Sequence, residues 1–236
     1  ANVEQDINAG LFVGHPLQSI YGYVAEGLFV DQNDVDNYPT QPRTAHPGDI
    51  KFKDISGPDG VPDGIVNADY DRQIIGNQFP EYNYGANLAA SYKGFDLSIQ
   101  LRGVAGVDHM IGGYYGNAFH HGTSPQEWMV NERWTTENPN PNAKYPRFLV
   151  LGGGEQQYQR STYIMMNASY LRVNLIQLGY NLPKNVVTKL RMSNLRFFTS
   201  IRNPITIDNF REGWDPEMLT GYPPVKVFIL GVNVSF

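Results

Sequence analysis

The stretch that most constrains this chain is YNYGANLAASYKGFDLSIQLRG, Tyr82 to Gly103. It reads as two extended strands joined by a tight turn at Lys93-Gly94. In the first, Tyr82, Tyr84, Ala86, Leu88, Ala90 and Tyr92 alternate with Asn83, Gly85, Asn87, Ala89 and Ser91. In the second, Phe95, Leu97, Ile99 and Leu101 alternate with Asp96, Ser98, Gln100 and Arg102. Alternation of period two gives a strand one apolar and one polar face. The aromatics Tyr82, Tyr84, Tyr92 and Phe95 sit at the strand ends, with smaller aliphatics between them. That order suits a transmembrane β-barrel, with aliphatics against lipid, aromatic girdles at the interfaces and a polar lumen. A hairpin of a soluble sandwich, its apolar face forming the core, accounts for the same residues. The hairpin by itself leaves both open.

Bulk hydropathy does not decide between them. The mean is -0.38, and no apolar run approaches the ~20 residues of a transmembrane helix. Alternating strands average out in such a window, so a barrel stays admissible. The 15 Tyr, 12 Phe, 24 Gly and 16 Pro suit many strands joined by turns and long loops. A net charge of -5 gives no reason to expect a nucleic-acid partner. The absence of Cys removes disulfides, thiolate metal sites and a Cys nucleophile. ANVEQDINAG, at the start, has neither the basic nor the apolar region of a signal peptide.

Taken in order, Ser19 to Phe29 is expected as a strand and Asp31 as the N-cap of a short helical turn. Pro39, Pro42 and Pro47 make the next stretch irregular. Ile50 to Asp54 is a short strand. Five aspartates follow, Asp54, Asp59, Asp63, Asp69 and Asp71, interleaved with glycine and with Ile65-Val66. Carboxylates at alternate positions, a glycine turn and an apolar anchor are the parts of a calcium loop of the EF-hand type, so these five are candidate Ca2+ ligands. Pro58 and Pro62 interrupt its first half, and the closing Glu is absent. Asx-turns within an Asp/Gly/Pro cluster explain the same residues.

Residues 104–160 carry little periodicity and are rich in Gly, aromatic and polar residues. PQEWMVNERW fits a helix, with Trp128, Met129 and Glu132 on helical spacing. His109, His120 and His121 read as surface residues, because adjacent histidines do not share a strand face and no carboxylate stands at ligand spacing. Strands resume at Ser169 to Leu182. Leu171 and Val173 are out of phase with Ile176, Leu178 and Tyr180, which predicts a β-bulge near Asn174-Leu175. KNVVTKL gives a helical turn. Asn194 to Asn203 is a further strand, residues 204–224 a second long loop, and Val225 to Phe236 a last strand. In that strand Phe228, Leu230, Val232, Val234 and Phe236 share one face. An amphipathic final strand and alternating short and long connections favour the membrane barrel.

SIYGYVAEGLF, PGDIKFKDISGPDG, DGIVNADYDRQIIGNQFPEYNYGANLAASYKGFDLSIQLRG, RWTTENPNPNAKYPR, SYLRVNLIQLGYNLP, GWDPEM and YPPVKVFILGVNVSF together carry a resemblance. From about Gly14 to Phe236 the chain resembles the C-terminal part of SusC/RagA-family TonB-dependent transporters of Bacteroidetes. The resemblance implies an all-β fold, an antiparallel transmembrane β-barrel with long extracellular loops, multi-pass in the bacterial outer membrane. It implies import of oligosaccharides or peptides, TonB as energy source and a SusD-like surface lipoprotein as lid. Such barrels close with about 22 strands. This chain supplies about six to eight, over residues 1–236, without plug domain or TonB-contacting segment. The expectation is a C-terminal fragment that pairs at both edges with the N-terminal part of the barrel, since an open edge is not tolerated in lipid.

Under this expectation no chemistry is done on the solute. Trp128, Trp134 and Trp214 are candidate solute contacts, because flat rings stack on sugars and peptide side chains; packing within loops or an interfacial girdle is the other role open to them. Lumen-facing Arg102, Arg196 and Arg202 are candidate hydrogen-bond donors to polar solutes, or partners of a plug. A soluble, calcium-stabilised β-sandwich that binds glycans is the alternative. A glycoside hydrolase needs two carboxylates about 5–10 Å apart, and no spacing among Glu127, Glu132, Glu137 and Asp215 singles out a pair.

Overall fold

The computed structural model describes residues 11–149, 159–218 and 221–236, together with the backbone of Gln5 and Asp6. Parts of the expected N-terminal segment and of the expected loops at 104–160 and 204–224 lie outside the described residues. In chain order the strands are β1 (Gln5–Asp6), β2 (Leu11–Phe12), β3 (Ser19–Tyr23), β4 (Ala25–Leu28), β5 (Ile50–Phe52), β6 (Arg72–Asn77), β7 (Tyr82–Tyr92), β8 (Phe95–Ala105), β9 (Asp108–Met110), β10 (Met165–Asn167), β11 (Tyr170–Asn181), β12 (Asn194–Asp208) and β13 (Val227–Ser235). Short helices are α1 (Gln32–Asp36), α2 (Gly113–Gly116), α3 (Glu127–Asn131) and α4 (Lys184–Lys189). Among the described residues no helix is long and apolar enough to cross a membrane, which says nothing of strands. The chain divides into two compact units.

The sheet unit comprises Pro80–Val107 and Asn167–Phe236. Its strands form one antiparallel sheet in the order β13-β12-β11-β8-β7. The hairpin is present as expected. Lys93 and Gly94 both take positive φ, 47° and 88°, the type I′ pattern whose twist matches that of the flanking strands. The register carries the apolar residues across the sheet in rows. Leu88 lies opposite Ile99, Ile99 opposite Ile176, Ile176 opposite Ile201 and Ile201 opposite Phe228. The expected bulge is present, because both ladders of β11 shift between Val173 and Leu175. The extra residue keeps Val173 and Ile176 on the apolar face although they are three positions apart.

Strand β12 runs to Asp208, not to Asn203 as the sequence suggests. Asn203 (φ 50°) and Pro204 fall at the register shift, where Leu175 pairs with Arg202 and Val173 with Ile205. A proline there interrupts no regular ladder bond, so the strand continues past it.

Ser19 to Phe29 departs from expectation. It is split at Val24 into β3 and β4, and neither joins the large sheet. Strand β3 pairs with β6, and β4 pairs with β5. The first strand of the sheet is therefore β7, and the sheet has five strands, not six to eight.

The loop unit comprises Ala1–Phe79 and Asp108–Met166. Its core gathers Tyr23, Leu28, Ile50, Phe52, Val66, Trp134 and Ala143, with Tyr23 stacked on Phe52 at 4.7 Å. Asp31 caps α1 as expected, accepting from the Asp34 amide at 2.8 Å. Helix α3 keeps only the centre of the expected PQEWMVNERW helix and buries Met129. The Gln41 amide binds both backbone groups of Phe52, at 2.9 and 3.1 Å, and so extends the ladder of a three-residue strand.

Candidate functional site

The two faces of the five-stranded sheet are the candidate site. On the apolar face the side chains remain open: Phe228 is 76% exposed, Leu230 85% and Tyr92 71%. Among the described residues of the sheet unit no second sheet backs this face, and that backing is what the sandwich alternative requires. The connections sort by length. Lys93-Gly94 and residues 182–193 link strands at one end. The segments before β7, between β8 and β11, and between β12 and β13 all attach at the other. Short turns at one end and long loops at the other are the arrangement of outer-membrane barrels.

The polar face is organised by charge. Arg102 and Arg172 stand directly opposite each other on β8 and β11. Like charges in that position repel. Glu217 resolves the conflict: one carboxylate oxygen accepts from Arg102 Nη2 at 2.5 Å and from Arg172 Nη1 at 2.6 Å. Asp215 takes Arg172 Nη2 at 2.5 Å, and Thr206 takes its Nε at 3.0 Å. Arg172 is thereby 1% exposed with its guanidinium satisfied. A buried charge is tolerated only with such partners. GWDPEM is thus held through Asp215 and Glu217 against the polar face of its own sheet.

A second pair crosses β11. Asp96 on β8 receives Arg196 Nε and Nη2 from β12 at 3.0 and 2.5 Å, and Asn181 Nδ2 at 3.2 Å. Gly179 lies between them, and a Cβ there would fall 2.3 Å from Arg196 Nη2 and 2.6 Å from Asp96 Oδ1. Any larger residue would displace the bidentate pair.

The sequence candidates fare differently. Arg102 and Arg196 lie on the polar face as expected, both already paired with carboxylates, and Arg202 is exposed on β12. Trp134 is 6% exposed within the core of the loop unit, so its ring faces are closed to a solute. Trp128 is half-buried, its indole N–H donates to Gln126 at 2.8 Å, and its ring meets Tyr145 edge-on. The hollow beside it is about 30 Å³, below the size of a sugar ring. Tyr163, on the same hollow, donates to the Ala143 carbonyl at 2.7 Å, and burial pushes its phenol well above the usual tyrosine range. Trp214 is half-buried beneath Arg211.

In the aspartate cluster, side chains hold backbone amides. The buried Asp71 carboxylate accepts from Ile55, Ser56 and Asn67 amides at 2.7, 3.2 and 2.7 Å. Asp54 accepts from Gly64 at 2.7 Å and Asp63 from Ile65 at 2.9 Å. Asp59 and Asp69 lie on the exposed surface of the same segment. Among the described residues no three His, Asp or Glu side chains converge as metal ligands. Of the carboxylates considered for hydrolysis, Asp215 is bound to Arg172 and Glu132 pairs with Lys144 at 3.3 Å.

Sequence reasoning missed Arg172, Glu217 and the Asp49–Arg147 pair, which is bidentate at 2.7 and 3.2 Å. The phase of β11 before its bulge signals Arg172, and GWDPEM signals Glu217. Nothing local signals a pair separated by 98 positions.

No family model matches this chain. It is 26% identical over 240 residues to a protein of Formosa agariphila named TonB-dependent receptor P3, covering 94% of this chain and 22% of the relative. It is 25% identical over 221 residues to the TonB-dependent receptor SusC of Bacteroides thetaiotaomicron, covering 91% of this chain and 20% of SusC. Among solved structures, a chain of the RagAB peptide transporter superposes with a TM-score of 0.68 at 23% identity, covering 97% of this chain and 24% of that one. The RagAB importer in its open-open state gives 0.67 at 22% identity. The chain therefore spans about a fifth to a quarter of these proteins' length. Over more than nine-tenths of its own length it is similar to a segment of TonB-dependent receptors of the SusC kind, and it shares the fold of the corresponding part of RagAB.

Proposed function

We propose that this chain is the C-terminal segment of a TonB-dependent outer-membrane importer. Its sheet is part of the wall of a barrel of about 22 strands. The apolar face touches lipid, and the polar face, with Arg102, Arg172, Arg196 and Arg202, lines the passage. The observation that carries this is the uncovered apolar face of a sheet whose other face is charged and internally paired. Among the described residues the two outermost strands, β7 and β13, are each paired on one side only, with β8 and with β12. Bare edges and an open apolar face are the two features that lipid and the rest of a barrel would satisfy. The N-terminal strands and a plug complete the wall, TonB supplies energy, and a SusD-like lipoprotein covers the mouth. The solutes are oligosaccharides or peptides, carried without chemical change. The names of SusC and of the RagAB peptide importer support this assignment.

Cell fractionation tests it. The polypeptide that carries this segment should sediment with the outer membrane and leave it only with detergent. A deletion strain should lose growth on an oligosaccharide or peptide source, while the purified protein forms no product from it. A protein that is monomeric in plain buffer, with Leu97 and Leu230 protected from aqueous labelling, would sink the proposal.

A further inference from the structure

The connections at the short-turn end differ in charge from all others. Lys93-Gly94 and residues 182–193 carry Lys93, Lys184, Lys189 and Arg191, and neither contains Asp or Glu. All four cations are exposed. The two connections start side by side, since Asn181, the last residue of β11, donates its backbone amide to the Gly94 carbonyl at 2.8 Å. The long connections at the other end hold every one of the chain's 23 acidic residues except Asp96 and Asp208. Asp96 lies just past the Lys93-Gly94 turn, but Arg196 already neutralises it on the polar face.

Beside this basic rim the apolar face is indented. An open hollow of about 620 Å³ is lined by Phe95, Leu178, Tyr180, Phe197, Leu230 and Val232. Phe95 and Tyr180 pack at 4.5 Å along its rim side. Tyr92 stands at the same end with the Lys93 ammonium 5.1 Å over its ring. Aromatic rings at the strand ends, cations in the adjoining connections and an apolar trough on the same sheet match the three parts of one ligand class: glycerol backbone, anionic phosphate headgroup and acyl chain.

We propose that the rim and the hollow together bind an anionic phospholipid. Its phosphate group is held by Lys93, Lys184, Lys189 and Arg191, and one acyl chain lies in the hollow. A zwitterionic lipid fills the trough equally well but brings no net charge to the four cations, so the rim selects on headgroup. The inference rests on the membrane assignment above and adds a chemically defined ligand to one end of the sheet.

The intact polypeptide that carries this segment is reconstituted into nanodiscs of phosphatidylcholine with a graded fraction of phosphatidylglycerol. Retained lipid is then counted by mass spectrometry after transfer to neutral detergent. Phosphatidylglycerol should be retained about tenfold or more over phosphatidylcholine, and the ratio should fall as salt is raised. Each of Lys93→Gln, Lys184→Gln, Lys189→Gln and Arg191→Gln should lower the ratio, by up to about five-fold, and the quadruple variant should abolish it. Should the quadruple variant fail to insert, the single variants and the wild-type salt series give the same readout. Phe197→Ala should lower retention of both lipids and leave the ratio unchanged. Equal retention of the two lipids by inserted wild type overturns the inference alone, as does a quadruple variant with the wild-type ratio. Binding of inorganic phosphate by the inserted wild type together with equal retention of the two lipids would show an anion site without a lipid, and also overturns it. A polypeptide that stays dispersed in plain buffer and retains neither lipid overturns this inference and the membrane assignment together.

Discussion

The two units of this chain treat the same apolar residues in opposite ways. In the loop unit Phe29, Ile50 and Phe52 are fully buried, and short strands close around a shared core. In the sheet unit strands of nine to fifteen residues hold Phe228, Leu230 and Tyr92 outward. Propensity does not separate them, since both use β-branched, aromatic and aliphatic side chains. Periodicity does. Strict alternation over a long strand gathers all apolar groups on one face, and that face must meet something other than water. The irregular spacing of the loop unit lets its chain wrap its own apolar groups. One unit makes its core from itself, and the other requires one from its surroundings.

The largest expected effects test that contrast directly. Phe52→Ala should cost the loop unit about 3–5 kcal/mol, and the loss should be the same in detergent and in bilayer. Hydrogen exchange across Tyr23 to Val66 would report it. Leu230→Arg should cost about 2–4 kcal/mol in a bilayer, measured by denaturant unfolding from vesicles. The same substitution on a water-exposed face costs little, so a small Leu230→Arg effect in lipid would break the contrast.

The polar face offers a mid-sized test. Glu217→Gln leaves Arg102 opposite Arg172 with only Asp215 for charge compensation. A loss of about 1.5–3 kcal/mol is expected, the value of hydrogen bonds to charged groups. The connection 209–226 should then be cut faster by protease. Arg102→Gln in the same chain should restore part of the loss, because it removes the repulsion that Glu217 relieves. Additive effects of the two substitutions would mean that the carboxylate does not bridge the guanidiniums.

What could be read from sequence follows from the range of the forces involved. The hairpin, the Lys93-Gly94 turn, the bulge at Asn174, the Asp31 cap and the face assignments of β11 to β13 all rest on neighbours within a few residues, and the structure has each of them. Strand β6 escaped notice because Ile74 and Ile75 are adjacent and do not alternate, and its partner β3 lies far off in sequence. The loop unit as a folded body escaped for the same reason. Its core joins Tyr23 and Phe52 to Trp134 and Ala143, and no local period announces contacts at that separation. Among the candidate contacts, Trp134 looked open only because a tryptophan in an aperiodic stretch gives no sign of which core it enters. The arginines were placed on the correct face by parity. The carboxylate partners of Arg102 and Arg172 come from Asp215 and Glu217 beyond the end of β12, which parity does not reach.

The smallest expected effect concerns the aspartate cluster, where two physical accounts of the same residues diverge. A calcium loop needs carboxylate oxygens aimed at a common point, and added Ca2+ then stabilises the folded state in proportion to ligand excess. Asp54, Asp63 and Asp71 instead direct oxygens at amides of Gly64, Ile65, Ile55, Ser56 and Asn67. Binding an ion would first break those bonds. Millimolar Ca2+ or a chelator should therefore shift the melting temperature of the loop unit by less than Asp71→Ala does. That substitution strips three buried or half-buried amides of their acceptor, and each unsatisfied amide costs about 1–3 kcal/mol. A rise in melting temperature with Ca2+ that Asp71→Ala abolishes would mean that the cluster rearranges around an ion, and that the loop unit, too, takes part of its stability from outside itself.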